Sequence, residues 1–119
     1  MADWGLFTGW GAPVRGREQK GLEIFNEALA YWGGQQESGG IESFEVTLLS
    51  PHGGDLSGFI LAKGTQDQMA AIRASDEFQR LNTRAAQIVE NFGVVDASVD
   101  DGVGPQVQVY QEAINELGG

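Results

Sequence analysis

The pattern of hydrophobic and polar positions changes twice within the first third of the chain. Residues 4–10 (WGLFTGW) place bulky side chains at positions 4, 6 and 10 and glycines at 5 and 9, which is typical of a β-strand with one bulky and one open face. After Pro13, large apolar residues recur at steps of three and four: Leu22, Phe25, Leu29 and Trp32. This spacing lines one side of a helix and predicts a helix over 17–36.

A β-hairpin is predicted next. Residues 41–49 alternate apolar positions such as Phe44 and Val46 with polar ones such as Glu45, and a second strand is expected over 56–63. Between them, PHGG at 51–54 supplies the proline and glycines that a chain reversal favours.

The following segment carries two signals for the start of a helix. Thr65 and Gln68 have the spacing of a capping box, and Ser75 followed by two acidic residues resembles a second N-cap. We therefore expect a short helix, a break near Ala74 and a longer helix whose apolar spacing continues to Phe92. A final strand is predicted over 94–99.

A separate amphipathic helix is predicted at the C-terminus. Pro105 suits the first helical position, and four later apolar residues follow at helical spacing: Val107, Tyr110, Ile114 and Leu117. The sequence thus predicts a domain over 1–104 and a helical tail over 105–119. The pattern leaves open whether the tail packs on its own domain or on a partner.

The order of the elements predicts an α+β fold. Two β-α-β units of equal length joined by a hairpin give a ferredoxin-like β-α-β-β-α-β arrangement, with a four-stranded antiparallel sheet and the helices on one of its faces. The other face is left without cover. A symmetric second copy is the commonest cover for such a face, so a homodimer is expected.

Composition narrows the classes of partner. The chain of 119 residues has 17 acidic and 7 basic residues, a formal net charge of -10 and no cysteine. Such a charge disfavours nucleic acid and anionic membrane surfaces, and the lack of cysteine excludes thiolate chemistry and disulfides. No long apolar run or signal-peptide pattern is present, so a cytoplasmic protein is expected, with no metal and no cofactor.

The element order resembles that of the dimeric α+β barrel superfamily, in which two ferredoxin-like subunits place their sheets face to face. The resemblance covers about residues 4–99 and includes the segments GFILAKG at 58–64, SDEFQRL at 75–81 and FGVV at 92–95. It is greatest for small bacterial members with no assigned activity. The superfamily includes cofactor-independent monooxygenases, lactone isomerases, haem proteins and ligand-sensing domains, so the resemblance implies a fold and leaves the activity open. No catalytic motif carries over residue by residue.

Two residues are candidate proton acceptors. His52 is the only histidine, and Asp55 follows it closely in the same turn. Glu45 would face the space between two sheets if Phe44 and Val46 pack on the helices, and loss of solvation there suits a carboxylate to accept a proton. The alternatives are a histidine that decorates a solvated turn and a glutamate on an ordinary exposed strand.

Aromatic residues provide the candidate ligand site. Trp4, Trp10 and Phe59, with Thr47 as a polar group, are expected to line a pocket between two sheets, because ligand cavities are mostly apolar with a few polar groups. Core packing is the alternative for each aromatic residue.

Three functions remain open from the sequence. The first is a homodimeric α+β barrel that binds a small aromatic or apolar molecule between its sheets. The second is a cofactor-independent monooxygenase or isomerase that acts on phenolic or enolisable substrates, with Glu45 or His52 as the base. The third is a structural protein whose C-terminal helix docks on a partner.

Overall fold

The computed structural model describes residues 2–118 as one α+β domain with a projecting C-terminal helix. The strands are β1 (Trp4–Trp10), β2 (Ser43–Leu48), β3 (Gly58–Gly64) and β4 (Gly93–Ser98). The helices are α1 (Glu18–Ser38), α2 (Gln66–Ala74), α3 (Asp76–Ala86) and α4 (Val103–Glu116), with a 3₁₀ turn at Asp100–Gly102. No helix within the described residues is long and apolar enough to cross a bilayer.

The four strands form one antiparallel sheet in the order β2-β3-β1-β4. β1 lies in the centre and pairs with both β3 and β4, with Phe7 opposite Leu61 on one side and opposite Val95 on the other. β2 completes the sheet at the edge of β3. The predicted ferredoxin-like fold is therefore confirmed.

Side chains at even and odd positions lie on opposite faces of the sheet, as the pleat requires. Leu6, Ile60 and Ala62 are buried and belong to the core cluster that includes helix residues. The odd positions, such as Phe7 and Phe59, point away from the helices. The structure thereby decides the orientation of β2, which the sequence left open: Phe44 packs against the core and Glu45 does not.

The core is centred on an aromatic cluster between α1 and α3. Trp32 is only 2% exposed and lies edge-on to Tyr31 and Phe78, with ring centroids 5.0 Å and 5.6 Å away. Large rings of this kind bury more apolar surface than any other side chain, so the cluster fixes how the two helices pack.

The start signals of the second helical segment are confirmed. The Thr65 hydroxyl accepts from the Gln68 amide, while the Gln68 side chain accepts from the Thr65 amide. The Ser75 hydroxyl accepts from the Phe78 amide at 3.3 Å and so begins α3. Each reciprocal bond satisfies a backbone N–H that the first helical turn leaves without a partner.

The end of α3 differs from the prediction. The apolar spacing predicted a helix to Phe92, but α3 ends at Ala86. Beyond it the backbone pairs with the loop that follows β1: Val14 N–H donates to the Ile88 carbonyl at 2.7 Å, and Gly11 N–H donates to the Glu90 carbonyl at 2.7 Å. These long-range bonds replace the helical ones, so the tertiary fold overrides the local periodicity.

The link between β2 and β3 is longer than predicted. β3 begins at Gly58 rather than at position 56, so residues 49–57 form an extended loop. Gly53 has a φ of 84°, which confirms that a glycine supplies the left-handed backbone conformation there. The loop is held at its base by Ser57 N–H, which donates to the Trp10 carbonyl at 2.7 Å.

Helix α4 projects from the domain. The radius of gyration is 16.2 Å and the extents are 52 × 37 × 23 Å, whereas a compact chain of this length has a radius of about 13.5 Å. No residue of α4 is buried. The helix begins at Val103, which places Pro105 within the first turn, where its missing N–H costs no helical bond.

Tyr31 makes the stability of the fold sensitive to alkaline pH. Burial raises the pKa of its hydroxyl above 10.0, and the charge of Glu77 acts in the same direction, opposed by the nearby Ser75 hydroxyl. The Tyr31 hydroxyl approaches Ser75 without forming a well-aligned hydrogen bond. The folded protein therefore keeps this proton at a pH at which the unfolded chain has lost it, and stability falls as pH rises above the unfolded pKa.

We expect Tyr31→Phe to reduce this loss of stability above pH ~10 and to change stability at neutral pH by no more than about 1 kcal/mol. Urea denaturation between pH 7 and 11 measures the effect. Leu22→Ala, at an exposed position of the same helix, is the control and keeps the wild-type slope. An unchanged slope in Tyr31→Phe would show that other groups cause the alkaline loss.

Candidate functional site

A cleft lies between the sheet and the pair of helices α1 and α3. Its volume is about 60 Å³ and it is partly open to solvent. The lining is largely aromatic and aliphatic, and includes Trp10, Phe25, Trp32 and Phe92. Trp10 and Phe25 meet edge-on with ring centroids 5.9 Å apart and form one wall. The site is therefore an apolar slot with aromatic walls inside a single subunit.

Small residues on the facing helices leave room for the cleft. Gly21 and Ala28 line it from α1, and Ala85 lines it from α3. A larger side chain at Ala28 or Ala85 would occupy the slot, because interiors pack without spare volume. A side chain at Gly21 would instead meet Pro13 and Ile88. The cleft thus exists because the helices carry small side chains where a core would normally be filled.

Thr8 gives the cleft a polar group that has no hydrogen-bond partner among residues 2–118. It is 7% exposed, and its Oγ1 makes no hydrogen bond although it is shielded from solvent. Asn82 lines the same cleft from α3 and is only partly buried. A buried hydroxyl without a hydrogen bond costs about 1–3 kcal/mol, so a ligand group that bonds to Thr8 would recover this energy.

An ion pair bridges the two helices on their solvent side. Arg84 on α3 donates to the Glu27 carboxylate on α1, and both side chains are about half exposed. An open groove of about 560 Å³ runs beside this pair and is lined by Arg17 and Lys20 among others. Arg17 uses its Nη1 to bond the Gln87 carbonyl at 2.7 Å, which ties the start of α1 to the end of α3.

His52 lies in the exposed loop and both of its ring nitrogens are used. The Gly54 amide donates to Nδ1 at 3.2 Å, and Nε2 lies 2.7 Å from the Leu56 carbonyl. The neutral ring with its proton on Nε2 satisfies both bonds at once. In this geometry His52 shapes the loop between β2 and β3, and its nitrogens are not free to accept a proton from a substrate.

Glu45 is exposed on the sheet face opposite the cleft. It ends a row that crosses the sheet, in which Glu45 pairs with Leu61, Leu61 with Phe7, and Phe7 with Val95. The sheet itself separates this carboxylate from a ligand in the cleft of the same subunit. Glu45 and His52 do not line a common pocket.

The four predicted ligand residues lie on two faces of the sheet. Trp10 lines the cleft and Trp4 packs against the core on the same side. Thr47 and Phe59 are paired across β2 and β3 on the opposite face. Their side chains therefore do not line a single pocket within one subunit.

Thr8, Asn82 and the small residues of α1 and α3 were not identified from the sequence. Thr8 had a usable signal, because it is the one polar residue among the even positions of β1, which face the core. The small residues gave no signal, since alanine and glycine in a helix do not reveal which helix they will face.

The face of the sheet away from the helices, which we call the open face, is predominantly apolar at its centre. Phe7 and Phe59 stack there with ring centroids 4.9 Å apart, and Val95 is 56% exposed. Within residues 2–118, no group of three or more histidine, aspartate or glutamate side chains is placed to hold a metal ion.

Comparison with solved structures shows the same fold in bacterial proteins. A dimeric ferredoxin-like protein of unknown function from Jannaschia sp. CCS1 matches with a TM-score of 0.60 and 13% identity over 82% of this chain and 98% of the other. A dimeric ferredoxin-like protein of unknown function from Bacteroides fragilis matches with a TM-score of 0.58 and 13% identity over 81% and 96%. SnoaB, a cofactor-independent oxygenase from Streptomyces nogalater, matches with a TM-score of 0.55 and 16% identity over 83% and 95%.

The sequence itself gives no closer assignment. No protein-family model matches the chain, and no curated protein matches it. At these identities the structural similarity concerns the fold alone. With its sheet order and its helices on one face, the chain has a ferredoxin-like fold, which these solved structures share and which the resemblance implied.

Proposed function

We propose that this protein is a homodimer in which each subunit binds a small single-ring aromatic molecule, bearing a hydroxyl or carbonyl group, in the cleft between the sheet and the helices. The buried Thr8 hydroxyl without a hydrogen-bond partner carries this proposal. The aromatic walls accommodate the ring, while Thr8 and Asn82 supply a donor and an acceptor.

The size of the cleft limits the ligand. A volume of about 60 Å³ is less than half of the ~150 Å³ cavity that holds benzene in an engineered protein. A ring therefore enters edge first and extends through the open side of the slot. Fused multi-ring compounds fit only if the helices move apart.

The charge of the protein favours a neutral ligand. The formal net charge of -10 repels anions. The polar groups of the cleft, Thr8 and Asn82, are uncharged and offer no cation to a carboxylate. Phenols, quinones and aromatic ketones are thus preferred to aromatic acids.

Filling the cleft tests the site. We expect Ala28→Leu to abolish the binding of p-cresol, because the added carbons occupy the slot. Binding is measured by the quenching of the fluorescence of Trp10 and Trp32. Ala30→Leu, on the exposed side of the same helix, is the matched control and keeps wild-type binding. Equal binding by both variants would place the ligand elsewhere. The space between two sheets, expected from the sequence, would then become the favoured site, and Thr47→Leu would test it.

Replacing the Thr8 hydroxyl should have opposite effects on the stability of the fold and on the recognition of the ligand's polar group. We expect Thr8→Val to raise the free energy of unfolding by about 1 kcal/mol, because it removes a buried polar atom that has no hydrogen bond. The same change should erase any preference for p-cresol over toluene. Thermal unfolding and competition binding measure the two effects. A loss of stability in Thr8→Val would mean that the hydroxyl has a partner in the folded protein.

A cofactor-independent oxygenase is the second candidate function, supported by the similarity to the fold of SnoaB. A phenolic or enolisable substrate in the cleft would be the electron donor and molecular oxygen the oxidant. The sheet separates Glu45 from the cleft of its own subunit, so Glu45 would serve as a base only at a site between sheets. His52 would serve as a base only if its loop released one of its two bonded ring nitrogens. Oxygen uptake with a panel of single-ring phenols and enolisable aromatic ketones tests this function, and Glu45→Gln and His52→Ala test the roles of the two residues.

A further inference from the structure

Helix α4 has an apolar stripe that nothing within the described chain covers. Of the large hydrophobic residues that remain exposed in the described part of the chain, half lie at or beside this helix, although it is a small part of the chain. A helix of 14 residues is only marginally stable in water by itself, and most helical stability comes from packing of an apolar face. The helix therefore requires a surface outside its own subunit.

The stripe has the spacing of a two-helix seam. Its residues follow one another at steps of four, three, four and three, which we call the α4 seam: Val103, Val107, Tyr110, Ile114 and Leu117. At 100° per residue all five fall within about 80° of the helix surface. A repeat of 3.5 residues is typical of helices that pack against another helix, whereas a helix on a sheet usually presents a wider face.

The charge of the residues beside the seam indicates which kind of partner the helix can pack against. The flanking residues are uncharged: Gly104, Gln106, Gln111 and Ala113. The two carboxylates of the helix, Glu112 and Glu116, lie on the outer side. Two copies of a chain with a net charge of -10 can therefore bring their seams together without opposing carboxylates, whereas a basic partner would find no acidic residue beside the seam.

The root of α4 is fixed next to the open face of the sheet. Lys63, on that face, lies 3.6 Å from the Asp100 carboxylate in the turn before α4. Val99 is buried, and its side chain packs over Gly5, where a Cβ would lie only 3.3 Å from it. A Cβ on Gly102 would lie 1.9 Å from the Asp3 carbonyl oxygen, so only glycine allows this close approach. The exit of α4 is thereby continuous with the surface that the proposed homodimer covers.

The available area supports the same conclusion. Four strands spaced ~4.8 Å apart, each ~20 Å long, give the open face a flat area of about 400 Å². A stable interface buries about 800 Å² per partner. A helix ~21 Å long and ~10 Å wide adds a contact area about half that of the open face. Use of α4 brings the interface closer to the size of a stable dimer.

We propose that α4 of each chain packs its seam against α4 of the second copy, and so completes the homodimer that the open face begins. This inference rests on the homodimer of the proposed function. An antiparallel pair around a two-fold axis brings Tyr110, at the centre of the seam, next to Tyr110 of the second copy, and a parallel pair in register does the same.

Two matched substitutions test the seam by its effect on dimer affinity. Val107 and Val109 are the same residue on the same helix, 59% and 56% exposed, but lie on nearly opposite sides. In sedimentation velocity, we expect Val107→Gln to weaken the dimer by at least about 10-fold, since the change occurs twice in a symmetric dimer, and Val109→Gln to leave it unchanged. Circular dichroism checks that the helix content is retained in both.

Cross-linking tests the partner directly, because the chain has no cysteine. Tyr110→Cys should give a covalent dimer under mild oxidation, and Val109→Cys should not. The inference would be overturned if Val107→Gln and Val109→Gln had the same dimer affinity, or if Tyr110→Cys and Val109→Cys cross-linked to the same extent. A dimer that survives Val107→Gln but not a charge on the open face would overturn the inference and keep the proposed homodimer. A monomeric wild-type protein at all concentrations, with α4 protected in hydrogen exchange, would show that α4 folds on its own chain and overturn both.

Discussion

Val95→Glu is expected to convert the proposed homodimer to a monomer. Val95 lies on the open face beside Phe7, in the row that crosses the centre of the sheet. A carboxyl group buried there would lose its hydration, and even in its neutral form a buried polar group without a hydrogen-bond partner costs about 1–3 kcal/mol. A symmetric dimer incurs this cost twice, so the dissociation constant should rise by between about 30-fold and about 10⁴-fold. Sedimentation equilibrium measures the change.

The control for this variant is Leu22→Glu. Leu22 is 54% exposed on α1 and Val95 is 56% exposed on β4, so the two differ in location rather than in exposure. Leu22→Glu should keep the wild-type dimer, because α1 lies on the helical side of the sheet. If both variants dimerise like the wild type, the open face is not the interface, and the homodimer must use another surface.

Trp32→Ala is expected to lower the free energy of unfolding by about 3–5 kcal/mol. Trp32 is almost fully buried and lies against Tyr31 and Phe78, so its removal leaves a large cavity between α1 and α3. It also lines the ligand cleft. Ligand binding should therefore weaken in the same variant, even under conditions in which it remains folded. Urea denaturation gives the stability change.

Leu22→Ala serves as the control for the core. It removes an apolar side chain from the same helix, but at an exposed position where substitution typically changes stability by less than about 0.5 kcal/mol. A small effect of Trp32→Ala, similar to that of Leu22→Ala, would mean that Trp32 is not part of the packed core.

The elements of the fold were predictable wherever local chemistry decides the backbone. Thr65 and Gln68 form the reciprocal cap that their spacing indicated, Ser75 begins the next helix, and the left-handed Gly53 lies in the predicted turn region. The segment after Ala86 was not predictable in this way. Its apolar residues keep helical spacing, but the backbone of Ile88 and Glu90 bonds to the loop after β1, far away in sequence.

The candidate site was harder to predict than the fold. Trp10 does line the cleft, but Thr47 and Phe59 lie beyond the sheet, because a strand sends successive side chains to opposite faces. Histidine is a residue type that often accepts a proton in catalysis, but both ring nitrogens of His52 bond to its own loop.

The sequence by itself determined the type and order of the elements and the amphipathic character of the C-terminal helix. These depend on periodicity and capping, which act over a few residues. Only the tertiary structure decided that small residues on α1 and α3 leave a cleft, that Thr8 lies in it without a partner, and that α4 projects with its seam uncovered. Each of these depends on which surfaces meet, and that is set by contacts between residues distant in the chain.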